Sequence, residues 1–343
     1  METRKSYTSW FVLLLAALLG FFLLNIGLGS VNIPLSEVLA ALFGGDVTKA
    51  SWEYIVIDYR LPKALTAIMT GSGLAVAGLL MQTLFRNPLA GPFVLGLSSG
   101  ASLGVALLIL GAGVFGGIMG SALTSEYSLV IASALGSFLV LLAVLAVTLR
   151  VKDSMAILII GLMFGSVTAA VVAVLSYFSS AEKLQQYIFW SFGSLGNQSW
   201  SGILILAICC LLGILLAFMS CKSLNALLLG ENYAKSMGLR IKQTTLLIIL
   251  ATSILAGGIT AFAGPIAFIG LAVPHLTRQV FTTSNHFVLL PAVILCGAIL
   301  MLLCDTVAQL PLSEETLPIN AITSLIGAPV VIWLLVRKRK LLF

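Results

Sequence analysis

Gly96-Leu97-Ser98-Ser99-Gly100 has the G-x-S-x-G spacing of a hydrolase nucleophile elbow, where a serine on a strand-to-helix turn needs an acid and a histidine later in the chain. The setting is wrong for that chemistry: the pentapeptide lies in an apolar helical run, and the only histidines are His275 and His286. No H-E-x-x-H places two imidazoles on one helix face for zinc. No lysine follows a glycine, so the phosphate-cradling loop G-x-x-x-x-G-K-[ST] is impossible. Of the five cysteines, four lie in or at the ends of apolar runs, and Cys221 opens a polar segment. They show neither metal spacing nor a paired extracellular set. The sequence therefore offers no catalytic residue, no metal site and no cofactor bound by the chain itself.

The residues that do suggest chemistry are those of a docking surface, at positions 221–242. Leu224, Leu227 and Leu228 stand at i, i+3 and i+4, and further on Met237 follows Ala234 and Tyr233 by three and four residues. Gly230 separates two short helical pieces, Glu231 and Lys235 form an i,i+4 pair on the polar side, and Gly238 falls where a left-handed C-terminal cap belongs. A solvated connecting loop is the plain alternative.

The elements that hold this segment are membrane helices. Apolar residues make up 60% and charged residues 9% of the chain, against about 25% charged in a soluble domain; the mean hydropathy is +1.14. Ten apolar runs occur, at 10–28, 64–85, 93–114, 128–149, 155–178, 203–219, 244–263, 266–277, 287–304 and 321–336. A bilayer core of ~30 Å needs about 20 helical residues, so the eighth run must be extended or broken. Strand-type alternation is absent, which excludes an outer-membrane barrel. The expected fold is all-α, a polytopic membrane protein of about ten transmembrane helices forming one permease domain over residues 1–343.

Charge sets the orientation. With the N-terminus inside, 14 of the 18 Lys and Arg residues face the cytoplasm, and only Lys49, Arg60, Lys63 and Lys183 lie outside. Of the 12 acids, Glu2, Asp153 and Glu231 fall inside and nine outside. The net charge of +6 is thus an asymmetry across the bilayer, as the positive-inside rule requires. Both termini are expected in the cytoplasm, and the basic cluster at 337–340 reads as a topology signal rather than a nucleic-acid patch. The first run follows Arg4 and Lys5 as a signal peptide would but lacks an A-x-A cleavage site, and is expected to stay as a helix.

The span interiors hold no ionisable residue; His275, Arg278 and Asp305 sit at span ends. Ion-coupled transporters keep charges at mid-membrane, so energy must come from elsewhere, and a partner ATPase fits. Small residues recur at four-residue spacing in Gly100/Gly104, Gly116/Gly120 and Gly161/Gly165, with a dense Gly71, Gly73, Ala75, Ala77, Gly78 run. They let helix backbones approach closely. Two proline-bearing stretches, Arg86 to Pro92 and Gly264 to Arg278, should each interrupt helix, the second of them twice. Non-helical backbone at membrane depth is tolerated only when buried in protein or lining a cavity, which points to a pathway or gate.

These stretches, read as RLPK, RNPLAGP, GENYAKSMG, GPIAFIGLAVPHLTR and LIGAPVVIWLL, resemble the ten-helix permeases of ABC importers for ferric siderophores, haem and cobalamin, over nearly the whole chain. The resemblance implies a homodimer around a central pathway in the bacterial inner membrane. Two cytoplasmic ATPase subunits using ATP and Mg²⁺ would lie below it, and an extracytoplasmic binding protein above. By the same resemblance Gly230, Glu231, Ala234, Met237 and Gly238 match the coupling-helix motif that seats on each ATPase. Arg60 and Lys63 match basic positions that meet carboxylates on the binding protein. Asn87 and Leu89 match cytoplasmic gate positions, and the other gate loop falls at Lys152, Asp153 and Ser154. His275 and Arg278 read as structural caps.

The chain departs from the family pattern at Gln309, where relatives often carry Arg, and at Asn320, where they carry Gly. Lys63 in place of Arg gives up bidentate geometry. The function expected is ATP-driven inward transport of an iron chelate, haem or cobalamin, with an ion-coupled secondary transporter or channel as the rival.

Overall fold

The computed structural model describes residues 7–111, 126–148, 150–151, 154–196, 198–311, 313 and 315–337. It is 81% helix without strands among the described residues. In chain order the helices are α1 (Thr8–Gly27), α2 (Leu35–Phe43), α3 (Ala50–Tyr54), a π-helical turn (Ile55–Arg60), α4 (Leu61–Leu84), a 3-10 turn (Pro92–Leu95), α5 (Leu97–Ile109), α6 (Glu126–Thr148) and α7 (Ser154–Tyr177). They continue with α8 (Ala181–Ser191), α9 (Trp200–Leu228), α10 (Glu231–Ser236), α11 (Ile241–Ala263), α12 (Ile269–Val280), α13 (His286–Ala308) and α14 (Ile319–Arg337).

Every apolar run of the sequence holds a helix, but the helices differ in length. Among the described residues, seven are long and apolar enough to cross a membrane. The others are α5, α12 and α14; α5, with 13 residues, rises only ~20 Å at 1.5 Å per residue.

Burial separates lipid-facing helices from the central one. The apolar window of α1 is only 11% buried, whereas that of α3 through α4 is 83% buried. Helix α4 packs against α9, α11, α12 and α13, and its small residues explain how four neighbours reach it. A Cβ on Gly78 would lie 1.6 Å from the Gly270 carbonyl oxygen of α12, and one on Gly71 would lie 2.2 Å from the Gly297 carbonyl oxygen of α13. No side chain fits at either crossing, so backbones touch and dispersion holds them where lipid removes the hydrophobic drive. Helices α5 and α6 meet the same way, with Gly100 against Gly136 and Gly104 against Ala132. The small residues at 71–78 and at Gly100/Gly104 are therefore packing devices. The Gly116/Gly120 pair lies outside the described residues.

Two sequence expectations need correction. The stretch from Gly264 to Arg278 is interrupted once, not twice: residues 264–268 are non-helical, but Pro274 stands inside α12. Proline there removes only the bond to the Gly270 carbonyl, and that carbonyl is the one lodged against Gly78. The segment 221–242 is also not a free-standing pair of short helices. Its first half continues the 29-residue α9 down to Leu228, and only α10 is a separate piece. Leu224 and Leu227 are buried against the bundle, so their apolar face belongs to the core.

Candidate functional site

Polar side chains gather at the two opposite ends of the antiparallel helices α4 and α13. At the first end, Arg60 closes the π-helical turn and is 9% exposed. Its Nη1 donates to the Ile26 and Gly27 carbonyls at 2.8 and 2.9 Å, and Nη2 donates to the Val31 carbonyl. The last carbonyls of a helix lack intrahelical donors and carry partial negative charge, so a cation is well placed at the end of α1. One turn of chain later, Lys63 Nζ lies 3.2 Å from Asp305 Oδ1.

Asp305, 1% exposed, is further held at Oδ2 by Asn25 Nδ2 at 3.0 Å and by Gln309 Nε2 at 2.7 Å. A buried carboxylate is tolerable when paired and hydrogen-bonded, and here α1, α4 and α13 each supply a donor. The sequence reading missed this cluster. Its signals were an Asn near the end of the apolar α1 and an Asp-Gln pair one turn apart at the end of α13. Gln309 also has a physical account: an Arg there would set two cations on one carboxylate, whereas Gln adds a neutral donor to an already balanced Lys63–Asp305 pair.

Arg60, Lys63, Asp305 and Gln309 line a cavity of about 810 Å³ together with Tyr54 and Phe189. The loop 264–268 borders this end. Asn320 Oδ1 accepts from the Ala267 N–H at 3.0 Å, and the Asn320 N–H donates to the Phe192 carbonyl at 3.2 Å. Asn320 thus fastens α14 to two loops, and the bond to Ala267 is the one that a glycine could not make.

At the opposite end, the Arg86 to Pro92 loop follows α4. Asn87 Oδ1 accepts from the Leu89 N–H at 2.9 Å, a local turn that leaves Leu89 45% exposed. His275 Nε2 lies 2.7 Å from the Pro88 carbonyl. Arg278 Nη1 donates to Gln82 Oε1 at 3.1 Å, and Gln82 Nε2 donates to the Leu271 carbonyl at 3.2 Å. His275 and Arg278 thus tie α12 to α4 and its loop. Of the other expected gate loop, Ser154 opens α7, while Lys152 and Asp153 lie outside the described residues.

The α9–α10 elbow stands beside this loop. Gly230 bridges the two helices at φ +111 and Gly238 follows α10 at φ +83, both in the left-handed region that favours glycine. Ala234 is fully buried, but Leu229, Tyr233 and Met237, at four-residue steps, are 62%, 55% and 63% exposed. Lys235 Nζ lies 3.9 Å from Glu231 Oε2. The elbow therefore has a face anchored in the bundle and an apolar face turned away from it.

No hydrolytic site forms at Ser98. It stands within α5, its Oγ is shielded from solvent without a hydrogen-bond partner, and His275 and His286 bond to other groups at the Arg86 end. Among the described residues no three of His, Cys, Asp and Glu come together as a metal site.

Residues 15–337 match the FecCD transport family. The chain is 36% identical over 331 residues to the hemin transport system permease protein HmuU of Yersinia pestis, covering 94% of this chain and 96% of that protein. It is 37% identical over 303 residues to the vitamin B12 import system permease protein BtuC of Salmonella paratyphi A, covering 86% and 88%. A solved structure described as an inward-facing conformation of a metal-chelate type ABC transporter superposes with a TM-score of 0.84 at 30% identity, over 97% of this chain and all of that one.

Proposed function

The chain belongs to the FecCD transport family, and from that premise we propose that it is the membrane-spanning subunit of an ATP-driven importer taking haem, cobalamin or another metal chelate, such as a ferric siderophore, from a binding protein into the cytoplasm. The two curated relatives carry haem and vitamin B12, both bulky metal macrocycles. The permease is a transport subunit; ATP, with Mg²⁺, is hydrolysed on two cytoplasmic partners. Two copies of the chain line the pathway, each a single domain over residues 1–343 with about ten spans and both termini in the cytoplasm, in the bacterial inner membrane.

The observation that carries this reading is the elbow of α9 and α10. Leu229, Tyr233 and Met237 keep their apolar surface exposed on a helix whose Ala234 is locked into the bundle. Burying apolar surface is worth ~25 cal/mol per Å², and an exposed apolar patch with a polar rim marks a protein contact. Gly230, Glu231, Ala234, Met237 and Gly238 form the element that seats on the ATPase. Asn87 and Leu89 form one part of the gate, at the same end of the bundle as the elbow, and the Lys152, Asp153 and Ser154 turn supplies the other. Arg60 and Lys63, at the far end, face the binding protein.

The test is uptake into proteoliposomes holding the permease, its ATPase and its loaded binding protein, with haem, cobalamin and a ferric siderophore compared in turn. Uptake of one of these that requires ATP is the expected result. Uptake that persists without ATP and collapses with the proton gradient would overturn it in favour of an ion-coupled transporter.

A further inference from the structure

We propose that Arg86 is the strut that carries movement of the α9–α10 elbow into the gate loop, a positioning role that rests on the reading of 230–238 as the ATPase contact and of Asn87 and Leu89 as gate residues. Arg86 sits immediately before Asn87, yet its side chain reaches away from the loop. Its Nη2 donates to the Leu228 carbonyl at 2.8 Å, and Leu228 is the last residue of α9. That carbonyl has no donor within its own helix and bears part of the negative end of the helix dipole, so a guanidinium there forms a charge-assisted bond. The same guanidinium reaches the hinge itself: a Cβ on Gly230 would lie 3.7 Å from Arg86 Nη2. One side chain thus joins the pivot of the coupling element to the first residue of the gate loop.

The backbone of Arg86 supports this. Its φ of +47 is left-handed, a conformation that glycine adopts freely and arginine does not. Left-handed non-glycine residues persist where surrounding contacts over-determine them, and they cluster at functional and switching segments. The Leu228 bond is the contact that Arg86 makes with its side chain here. The loop is also held by His275 at Pro88, so Asn87 lies between points fixed by the elbow and by α12, and Leu89 follows directly after the second.

Removing the strut leaves the packing intact, because α9 and α4 are joined by a separate buried route. Asn225 Oδ1, on α9, accepts from the His286 N–H at 2.9 Å and faces His286 Nδ1 at 2.7 Å. His286 Nε2 lies 3.0 Å from Thr83 Oγ1 on α4. This clamp holds the helices whether or not Arg86 is present, which separates a transmitting role from a stabilising one.

The experiment uses Arg86→Gly in the reconstituted complex of permease, ATPase and binding protein. Glycine suits the backbone, so the thermal midpoint should stay or rise while uptake per ATP hydrolysed falls at least fivefold. The ATP-dependent change in labelling of a Leu89→Cys probe, read against the parent chain's own cysteines, should be lost. Arg86→Lys, keeping one charged donor, should recover part of the ratio. An unchanged ratio with labelling still responsive to ATP would overturn the strut. So would a lowered midpoint with uptake and hydrolysis falling in parallel, which would make Arg86 structural. Met237→Asp is the control for the underlying reading: if it uncouples and Arg86→Gly does not, the strut alone fails, and if Met237→Asp has no effect the coupling contact itself is wrong.

Discussion

Lys63 Nζ lies 3.2 Å from Asp305 Oδ1, so a lysine that the family resemblance turns toward a binding protein already has a carboxylate partner within its own chain. Asp305 is 1% exposed and takes two more donors, from Asn25 and Gln309. Arg60 is likewise committed to three carbonyls around the end of α1. Arg60 and Lys63 are therefore ties between α1, α4 and α13, and in the docking role proposed for them an incoming carboxylate would compete with bonds already made.

That arrangement fixes the outcome of removing Lys63. Taking away one partner of a buried pair strands the other, at a cost of ~3–5 kcal/mol for full burial, and less here because Lys63 retains 22% side-chain exposure. Lys63→Ala should lower the thermal midpoint in detergent, and Lys63→Met combined with Asp305→Leu should restore most of it. Additive losses in the double variant would show that the two residues do not stabilise each other.

Gln309→Arg probes the same carboxylate from the other direction. A second cation beside Asp305 weakens its hold on Lys63, whose ammonium lines the 810 Å³ cavity. Affinity for the loaded binding protein should rise several-fold at low ionic strength and the gain should shrink with salt. An affinity that is unchanged at low salt would separate Lys63 from docking.

Gly78→Ala tests the central crossing. Its Cβ would stand 1.6 Å from the Gly270 carbonyl oxygen, whereas Gly20 in α1 has nothing within 4 Å. Overpacking costs ~1–3 kcal/mol and more where backbone must move. Gly78→Ala should therefore yield little monodisperse protein, and Gly20→Ala should match the parent. Equal yields would contradict the backbone contact between α4 and α12.

The sequence made most of the fold legible because bilayer helices announce themselves by apolar length, and all ten runs hold helices. Helix interruption was less legible. Pro274 reads as a breaker, yet α12 continues through it, with the carbonyl it deprives, that of Gly270, packed against Gly78. The break at Gly230 and the short helix after it were legible from the glycines, but the leucine spacing before them proved to be the buried face at the end of α9. The Asp305 cluster was hidden, since Asn25 and Lys63 lie far from Asp305 and Gln309 in sequence and only the packing of α1, α4 and α13 unites them. The Arg86 to Leu228 bond was hidden for the same reason: a guanidinium meeting a helix-end carbonyl leaves no residue pattern.

The central claim is that ATP drives transport through the elbow of α9 and α10, and Met237→Asp tests it most directly. Met237 is 63% exposed, so a carboxylate there leaves the bundle's packing alone and opposes only an apolar contact with the ATPase. In the reconstituted complex, uptake per ATP hydrolysed, measured with the loaded binding protein present, should fall at least tenfold while the permease keeps its thermal midpoint. Uptake at the parent ratio with Asp at position 237 would contradict the claim.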